Sequence, residues 1–417
     1  MLAVVVNPVC GACRGKQLAQ DHVLPLLASH GRHPDLYAET ECPGHAGTLL
    51  INWITQTAPT PPLHISIILI SGDGTLHEIV NALYRRTHDD PSFSLPQIRF
   101  VLVAAGTANA LYASLCLADG ASDPLASLRT FLSSAIDSSP VLVPLTLART
   151  TFHPPSDTPV LVPKPIIAAV VTSTSLHASI LQDSEALRST IPGLERFKTA
   201  AAQNATRWYS SRVRLLPSSD ADEKRPQIYD ANTDSFVPYT SKEGEDGTIE
   251  LDGPFVYFLS TVNVDRLEPQ FQIAPLARSH KPAGGTMDLI VVRPMRDPSI
   301  GANDEEARCN FGTKTWKVLG AAYDGGRHVV MRYGGDGAID ASNAGVNVVE
   351  YLRIGGWEWI PVRRLAIELA ISFADKNDRM MQIPKHALYA LMGLLSRYHE
   401  GEQPGVLCWK GRLMGWT

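Results

Sequence analysis

Residues 65–83, ISIILISGDGTLHEIVNAL, constrain the fold of this 417-residue chain more than any other stretch. Five of the six residues after His64 are apolar, and isoleucine dominates. A short, bounded, β-branched run of this kind reads as a buried parallel strand. It stops at Ser71-Gly72-Asp73-Gly74-Thr75, after which Leu76, Ile79, Val80 and Leu83 recur at the spacing of one helix face. Strand, glycine turn and helix in that order set free backbone N–H groups and the positive end of a helix dipole beside one carboxylate. Glycines let the backbone close on a phosphate, and a helix N-terminus favours its charge. An aspartate in such a turn either caps a helix or serves as a base.

The same pattern occurs on either side. Residues 2–7 form a β-branched strand that runs into a loop of small residues ending in Arg14 and Lys16. Residues 17–30 have a helical pattern interrupted by Pro25, and residues 44–57 give a second helix with Leu49, Leu50, Trp53 and Ile54 inside. Residues 99–104 form a third strand, which meets Ala105-Gly106-Thr107-Ala108-Asn109 and a helix marked by Leu111 and Leu115. Three strand-loop-helix units predict a parallel sheet covered by helices, with a ligand beyond the strand C-termini where all three polar loops lie.

Composition narrows the class. A hydrophobic content of 44% is globular, and no apolar run approaches the roughly 18 residues of a membrane span. No secretory signal is read. A net charge of −5 argues against general nucleic-acid binding. Six scattered cysteines suit a reducing compartment; Cys10 and Cys13 form a lone C-x-x-C, better read as free or buried thiols than as a zinc site. The expectation is a cytoplasmic protein whose membrane contact is peripheral.

Beyond about residue 140 the pattern changes. Residues 125–139 are helical and Ser-rich, and short β-like runs follow at 141–148, 165–173, 212–216, 253–262, 287–292, 328–333 and 346–354. They predict an antiparallel sandwich. Residues 217–253 hold ten acids and three bases and read as a solvated, partly disordered insertion. Residues 363–400 look helical: an amphipathic tail on the sandwich, a membrane-contacting tail, or a replaced chain end.

The ordered motifs Asn7-Pro8, Ser71-Gly72-Asp73-Gly74-Thr75-Leu76-His77-Glu78-Ile79-Val80-Asn81-Ala82-Leu83 and Ala105-Gly106-Thr107-Ala108-Asn109-Ala110-Leu111 resemble those of the diacylglycerol kinase catalytic-domain family, the sphingosine and ceramide kinase branch above all. Glu39-Thr40 with His45-Ala46, the segment Leu176-His177-Ala178-Ser179-Ile180-Leu181-Gln182-Asp183-Ser184-Glu185, and the run from Met287 to Val292 are similar too. The similarity covers roughly residues 1–360. It implies a Rossmann-like nucleotide-binding domain over residues 1–140, a β-sandwich lipid-binding domain over 141–362, and an atypical segment over 363–417. It also implies an ATP- and Mg²⁺-dependent lipid kinase acting on a sphingoid base, ceramide or diacylglycerol.

By that resemblance Asn7, Arg14, Thr40, Ser71, Gly72, Gly74, Thr75, Gly106, Thr107, Asn109, Arg188 and Arg196 hold ATP. Asp73 accepts the proton of the lipid hydroxyl, Glu78 supports that site or Mg²⁺, and His177, Ser179 and Asp183 meet the lipid. The chain departs from the family where an aspartate for the lipid head is Ser179, and where an Asp-Gly is Gly284-Gly285. The family's late Asp-Gly-Glu is absent, with Lys410-Gly411-Arg412 near its place. These departures leave a catalytically inactive nucleotide- or lipid-binding protein as the alternative. A soluble-substrate kinase would share only the Gly-Asp-Gly-Thr turn.

Overall fold

The structure is a computed structural model that describes residues 1–57, 64–117, 122–137, 142–152, 163–191, 193–219, 223–240, 244, 246–361 and 412–415. Its first region is built on four parallel strands: β1 (Leu2–Val6), β2 (Leu36–Glu39), β3 (His64–Ser71) and β4 (Gln97–Ala104), in the order β2-β1-β3-β4. Parallel pairing needs crossovers, which the helices between the strands supply, and two more helices follow β4. The helices are α1 (Gly15–Leu18), α2 (Leu24–Ser29), α3 (His45–Thr57), α4 (Asp73–Asp89), α5 (Ala110–Cys116) and α6 (Ala126–Asp137). A single π turn at Ala19–Val23 joins α1 to α2. Pro25 is the second residue of α2, directly after the π turn, and helical backbone runs on through it, so the expected interruption is a local change of helix type.

Alternate residues of the central strands enter opposite cores. Ala3, Val5, Ile65, Ile67 and Leu69 pack with α3 and α4 on one face, while Val4, Val6, Ile68 and Ile70 pack with the α1–α2 segment and α6 on the other. Burial on both faces explains why β3 has no polar alternation.

The second region is antiparallel. Its strands are β5 (Thr146–Thr150), β6 (Ile166–Ala168), β7 (Val171–Thr174), β8 (Ser211–Leu216), β9 (Gln227–Asp230), β10 (Ser235–Pro238), β11 (Ile249–Asp252), β12 (Tyr257–Thr261), β13 (Met287–Val292), β14 (Arg332–Tyr333), β15 (Ile339–Asp340), β16 (Glu350–Ile354), β17 (Gly356–Pro361) and β18 (Arg412–Gly415). A six-stranded sheet, β10-β9-β16-β13-β12-β7, faces a three-stranded sheet, β11-β8-β17, across a core containing Phe255, Phe258, Leu289, Trp357 and Trp359. Helices α7 (Ser175–Ala186), α8 (Glu195–Asn204), α9 (Leu276–Ser279) and α10 (Glu305–Tyr323) complete this region. Leu176 of α7 and Phe311 and Val318 of α10 cover the outer face of the larger sheet. The α/β class with a parallel sheet followed by an antiparallel sandwich therefore holds.

Two expectations need correction, and one helix is new. The acidic stretch 217–253 is no solvated insertion: β9 pairs with β16, and β11 pairs with β8, so its described parts extend both sheets. Its charges alternate with apolar residues such as Ile249 and Leu251, which enter the core while Glu250 faces outward. Residues 328–333 are mainly a 3₁₀ turn, Arg327–Val330, before the two-residue β14. The 19-residue α10, unanticipated, has charges all around its exposed surface and shows little periodicity. The helical pattern at 363–400 and Lys410-Gly411 lie outside the described residues; Arg412 opens β18, which pairs with β5.

Candidate functional site

At the C-terminal edge of the parallel sheet, β1, β3 and β4 each end in a loop, and the loops touch. Ser71 and Gly72 lie against the β4 loop: the Ala105 amide donates to Ser71 O at 3.1 Å. A Cβ on Gly106 would stand 2.4 Å from Gly72 Cα, so only glycine allows this backbone approach. From the β1 loop, Asn7 Nδ2 donates to Thr75 Oγ1 at 2.9 Å, and the Cys10 thiol donates to Ala105 O at 3.3 Å. The three loops separated in sequence are one surface.

Asp73 sits at their meeting point. Its Oδ2 accepts from the Ala110 amide at 2.7 Å and its Oδ1 from the Leu111 amide at 3.2 Å. Asp73 therefore caps a helix, but α5 and not its own. Burial pushes its pKa above the ordinary carboxylate value, against the lowering effect of the Ala110 and Leu111 amides. Helix α4 begins after Gly72, whose extended backbone supplies no side-chain cap. In the first turn of α4 the Thr75 amide donates to Gly72 O at 3.2 Å, and no side chain of Gly72 competes for the Gly74 amide. Gly74 has open space where a Cβ would stand.

The other expected ATP residues divide. Ser71 and Thr75 are buried and Thr107 is half-buried, all at the loop junction. Asn109 is spent within its own loop: it adopts a left-handed backbone at φ 55°, accepts from the Gly106 amide and donates to Gly106 O, both at 2.9 Å. It shapes the turn, and its side-chain groups already bond there. Thr40 is buried just past β2, where its amide donates to Val6 O at 2.8 Å, so it shares the sheet's C-terminal edge. Arg14 is exposed beside the β1 loop.

Arg188 of the second region is exposed and ion-paired with Glu185 at 2.9 Å, yet close enough for its charge to act on the Cys10 thiol. Arg196 is 8% exposed, lies over the Phe197 ring at 4.7 Å and leaves its buried Nε without a partner. A buried guanidinium with an unused donor is fit to receive an acceptor atom.

Glu78 is half-buried one turn beyond Asp73 on α4. Among the described residues no group of three or more His, Cys, Asp or Glu is arranged to hold a metal ion. Asp73 and Glu78 are the carboxylates of this loop and helix that would hold Mg²⁺, an ion that takes one or two carboxylates and otherwise water or phosphate oxygens. Asn81, on the same helix, belongs to the joint between regions. Its Nδ2 donates to Ile167 O at 2.8 Å and its Oδ1 accepts from Ile167 N at 2.9 Å, so α4 is pinned to β6.

The three expected lipid residues lie on α7. His177 is buried against Tyr257 with Nδ1 at 2.7 Å from Ser173 Oγ, and burial lowers its pKa to about 4, so it is neutral at physiological pH. Ser179 Oγ lies 2.6 Å from the Tyr209 hydroxyl, and Asp183 Oδ2 accepts from Asn204 Nδ2 at 2.7 Å. Tyr209 and Asn204 went unnoticed in the sequence because no local spacing links them to α7. The cavity within this region, lined by Val256, Tyr257, Ile290, Val318 and His328 among others, has a volume of about 10 Å³. That is room for about one water, whereas ligand pockets commonly reach about 300 Å³ or more.

The chain is similar to known proteins. Residues 1–141 match the family model described as the diacylglycerol kinase catalytic domain. No curated protein matches the chain. Two solved structures from Bacillus anthracis str. Sterne, both named as a putative diacylglycerol kinase, are similar to it. They are 13% and 14% identical, each with a TM-score of 0.44 and 86% of both chains covered.

Proposed function

We propose that this chain is an ATP-dependent lipid kinase that transfers the terminal phosphoryl group to a lipid hydroxyl. The observation that carries the reading is Asp73, held in a glycine turn where three phosphate-suited loops converge, within the segment that matches a kinase catalytic domain. Phosphoryl transfer asks the protein mainly for positioning and charge neutralisation. Here the positive end of α4, with the backbone at Gly72, Gly74 and Gly106, would cradle phosphates, and Arg14, Arg188 and Arg196 would neutralise them.

Asp73 would accept the hydroxyl proton. Its carboxylate is fixed by two amides, and each oxygen keeps a lone pair for the acceptor. Burial raises its pKa, which makes the carboxylate a stronger base than an exposed aspartate. Mg²⁺, held by Asp73 or Glu78 and by the nucleotide, would neutralise developing charge on the phosphate oxygens.

The acceptor class is a sphingoid base, ceramide or diacylglycerol. It would reach the site from a membrane that the cytoplasmic protein touches peripherally, with α7 nearest the lipid through Ser179 and Asp183. The narrow cavity between the larger sheet and α10 would have to open before an acyl chain could enter it. A second reading is a nucleotide- or lipid-binding protein without turnover; the engagement of both Asp73 oxygens in capping α5 favours it. Purified protein incubated with Mg²⁺, γ-labelled ATP and a panel of the three lipid classes in mixed micelles decides. Label in one lipid supports the kinase; nucleotide binding with no labelled lipid supports the second reading.

A further inference from the structure

The C-x-x-C in the β1 loop takes no part in the reading above, yet its placement is specific. Cys13 N donates to Cys10 O at 2.9 Å, closing a four-residue turn. Such a turn holds its end Cα atoms within about 7 Å, and a disulfide needs about 4.4–6.8 Å. Both cysteines are reduced. They differ in every other respect. Cys13 is exposed and holds a left-handed backbone at φ 59°, rare for a residue with a Cβ. Cys10 is buried, and its thiol is the donor that ties the β1 loop to Ala105 O. Gly11 between them, at φ 53°, lies so close that a Cβ there would stand 2.4 Å from the same Ala105 O.

We propose that Cys10 and Cys13 form an oxidisable dithiol whose disulfide releases the loop at 105–109 from the β1 loop. The thiol of Cys10 cannot donate to Ala105 O once its proton is gone and its sulfur is bonded to Cys13. A carbonyl that loses the Cys10 thiol as its donor, beside a turn that must rotate toward Cys13, frees the strand-end loop that carries the Gly72–Gly106 contact. The oxidant is a low-molecular-weight disulfide. The exposed Cys13 thiolate attacks one of its sulfurs and expels one thiolate; the Cys10 thiolate then attacks the Cys13 sulfur and expels the second. Two S–H bonds are lost from the protein and one S–S bond forms. The external disulfide takes both electrons, and its two thiolates take the protons. Burial, which pushes the Cys10 thiol up to about 11, makes the second step the slow one.

The effect on nucleotide binding rests on the kinase reading; the disulfide and the loop release do not. The full chain is equilibrated in graded mixtures of oxidised and reduced glutathione, digested, and followed by mass spectrometry together with hydrogen exchange at residues 105–111. The expected result is a peptide lighter by two hydrogens that spans Cys10 and Cys13, with exchange at 105–111 about fivefold faster, reversed by dithiothreitol. Cys13→Ser keeps the Cys10 tie and shows neither change. The proposal is overturned if Cys13 stops at the mixed disulfide with glutathione, or if the internal disulfide forms and exchange at 105–111 stays the same. ATP titration of the two forms separates the readings. Faster exchange in a protein that binds no ATP in either form keeps the dithiol and removes the kinase.

Discussion

The two halves of the molecule solve the problem of placing polar groups in opposite ways. In the parallel half, polar chemistry sits where strands end, on loops whose glycines expose the backbone: Gly72 against Gly106, and Asp73 against the first amides of α5. In the antiparallel half, charges are inside the sheets. Asp288 is fully buried on β13 and meets Arg353 at 2.9 Å and the Tyr351 hydroxyl at 2.7 Å, both from β16. Burial pushes Asp288 above the ordinary carboxylate value despite Arg353. Glu350, equally buried, is also pushed up by burial, but Arg293 and Arg296 together bring it below the usual range. The lesson is that a carboxylate at a loop junction stays reachable and so is fit for chemistry. One clamped by arginines across strands fixes register and partner choice.

The comparison is broken most forcefully at Asp73. Asp73→Asn keeps one acceptor for α5, so its stability should fall by only about 1 kcal/mol, while lipid phosphorylation should drop about 10²–10⁴-fold. Urea unfolding and turnover on the same preparation check both. In the parent protein the acid limb of kcat/KM should lie above the ordinary carboxylate range, with activity lost as pH falls through the raised pKa. Undiminished turnover in Asp73→Asn would take this residue out of the mechanism.

Asp288→Ala should show the reverse pattern. It strands a buried guanidinium and costs about 3–5 kcal/mol, with per-molecule activity of the folded fraction retained. A mild effect in denaturation would mean the cross-strand charges carry no such weight. Between the halves, Asn81→Ala unpairs both backbone groups of Ile167 that face α4 and should cost about 3 kcal/mol. The loss should appear as faster hydrogen exchange at β6 and α4 together, since the amide holds one to the other.

The effect that involves no change of residue is a pH slope. His177 and His328 are buried with pKa values lowered to about 4 from 6.5, so the unfolded chain binds their protons first. Stability is intact above pH 6.5 and declines as pH falls toward 4, by about 2 kcal/mol per histidine at pH 5. Urea midpoints at pH 7 and pH 5 measure it, and a flat profile would show that these rings accept protons in the folded state.

What the sequence made legible follows the same divide. In the first half the strand over residues 65–70, the helix face of Leu76, Ile79, Val80 and Leu83, and the loops after β1, β3 and β4 are all local patterns, and each lies in the structure where its spacing puts it. The second half was read less well because its meaning is nonlocal. Residues 217–253 look solvated by composition, and only pairing with β16 and β8 shows that they complete two sheets. The roles of Asn81, Asn109 and Tyr209 depend on partners no pattern announces: a strand 86 residues away, the residue's own turn, and a serine on α7.

By itself the sequence determined the parallel sheet, the glycine turns and the presence of one carboxylate among them, because periodicity and glycine placement act over a few residues. The tertiary structure alone decided that this carboxylate caps α5, that a cysteine thiol ties two loops together, and that the charges of β13 and β16 are buried. Hydrogen bonds and ion pairs between distant segments have no sequence period; they exist only once hydrophobic burial has brought those segments together.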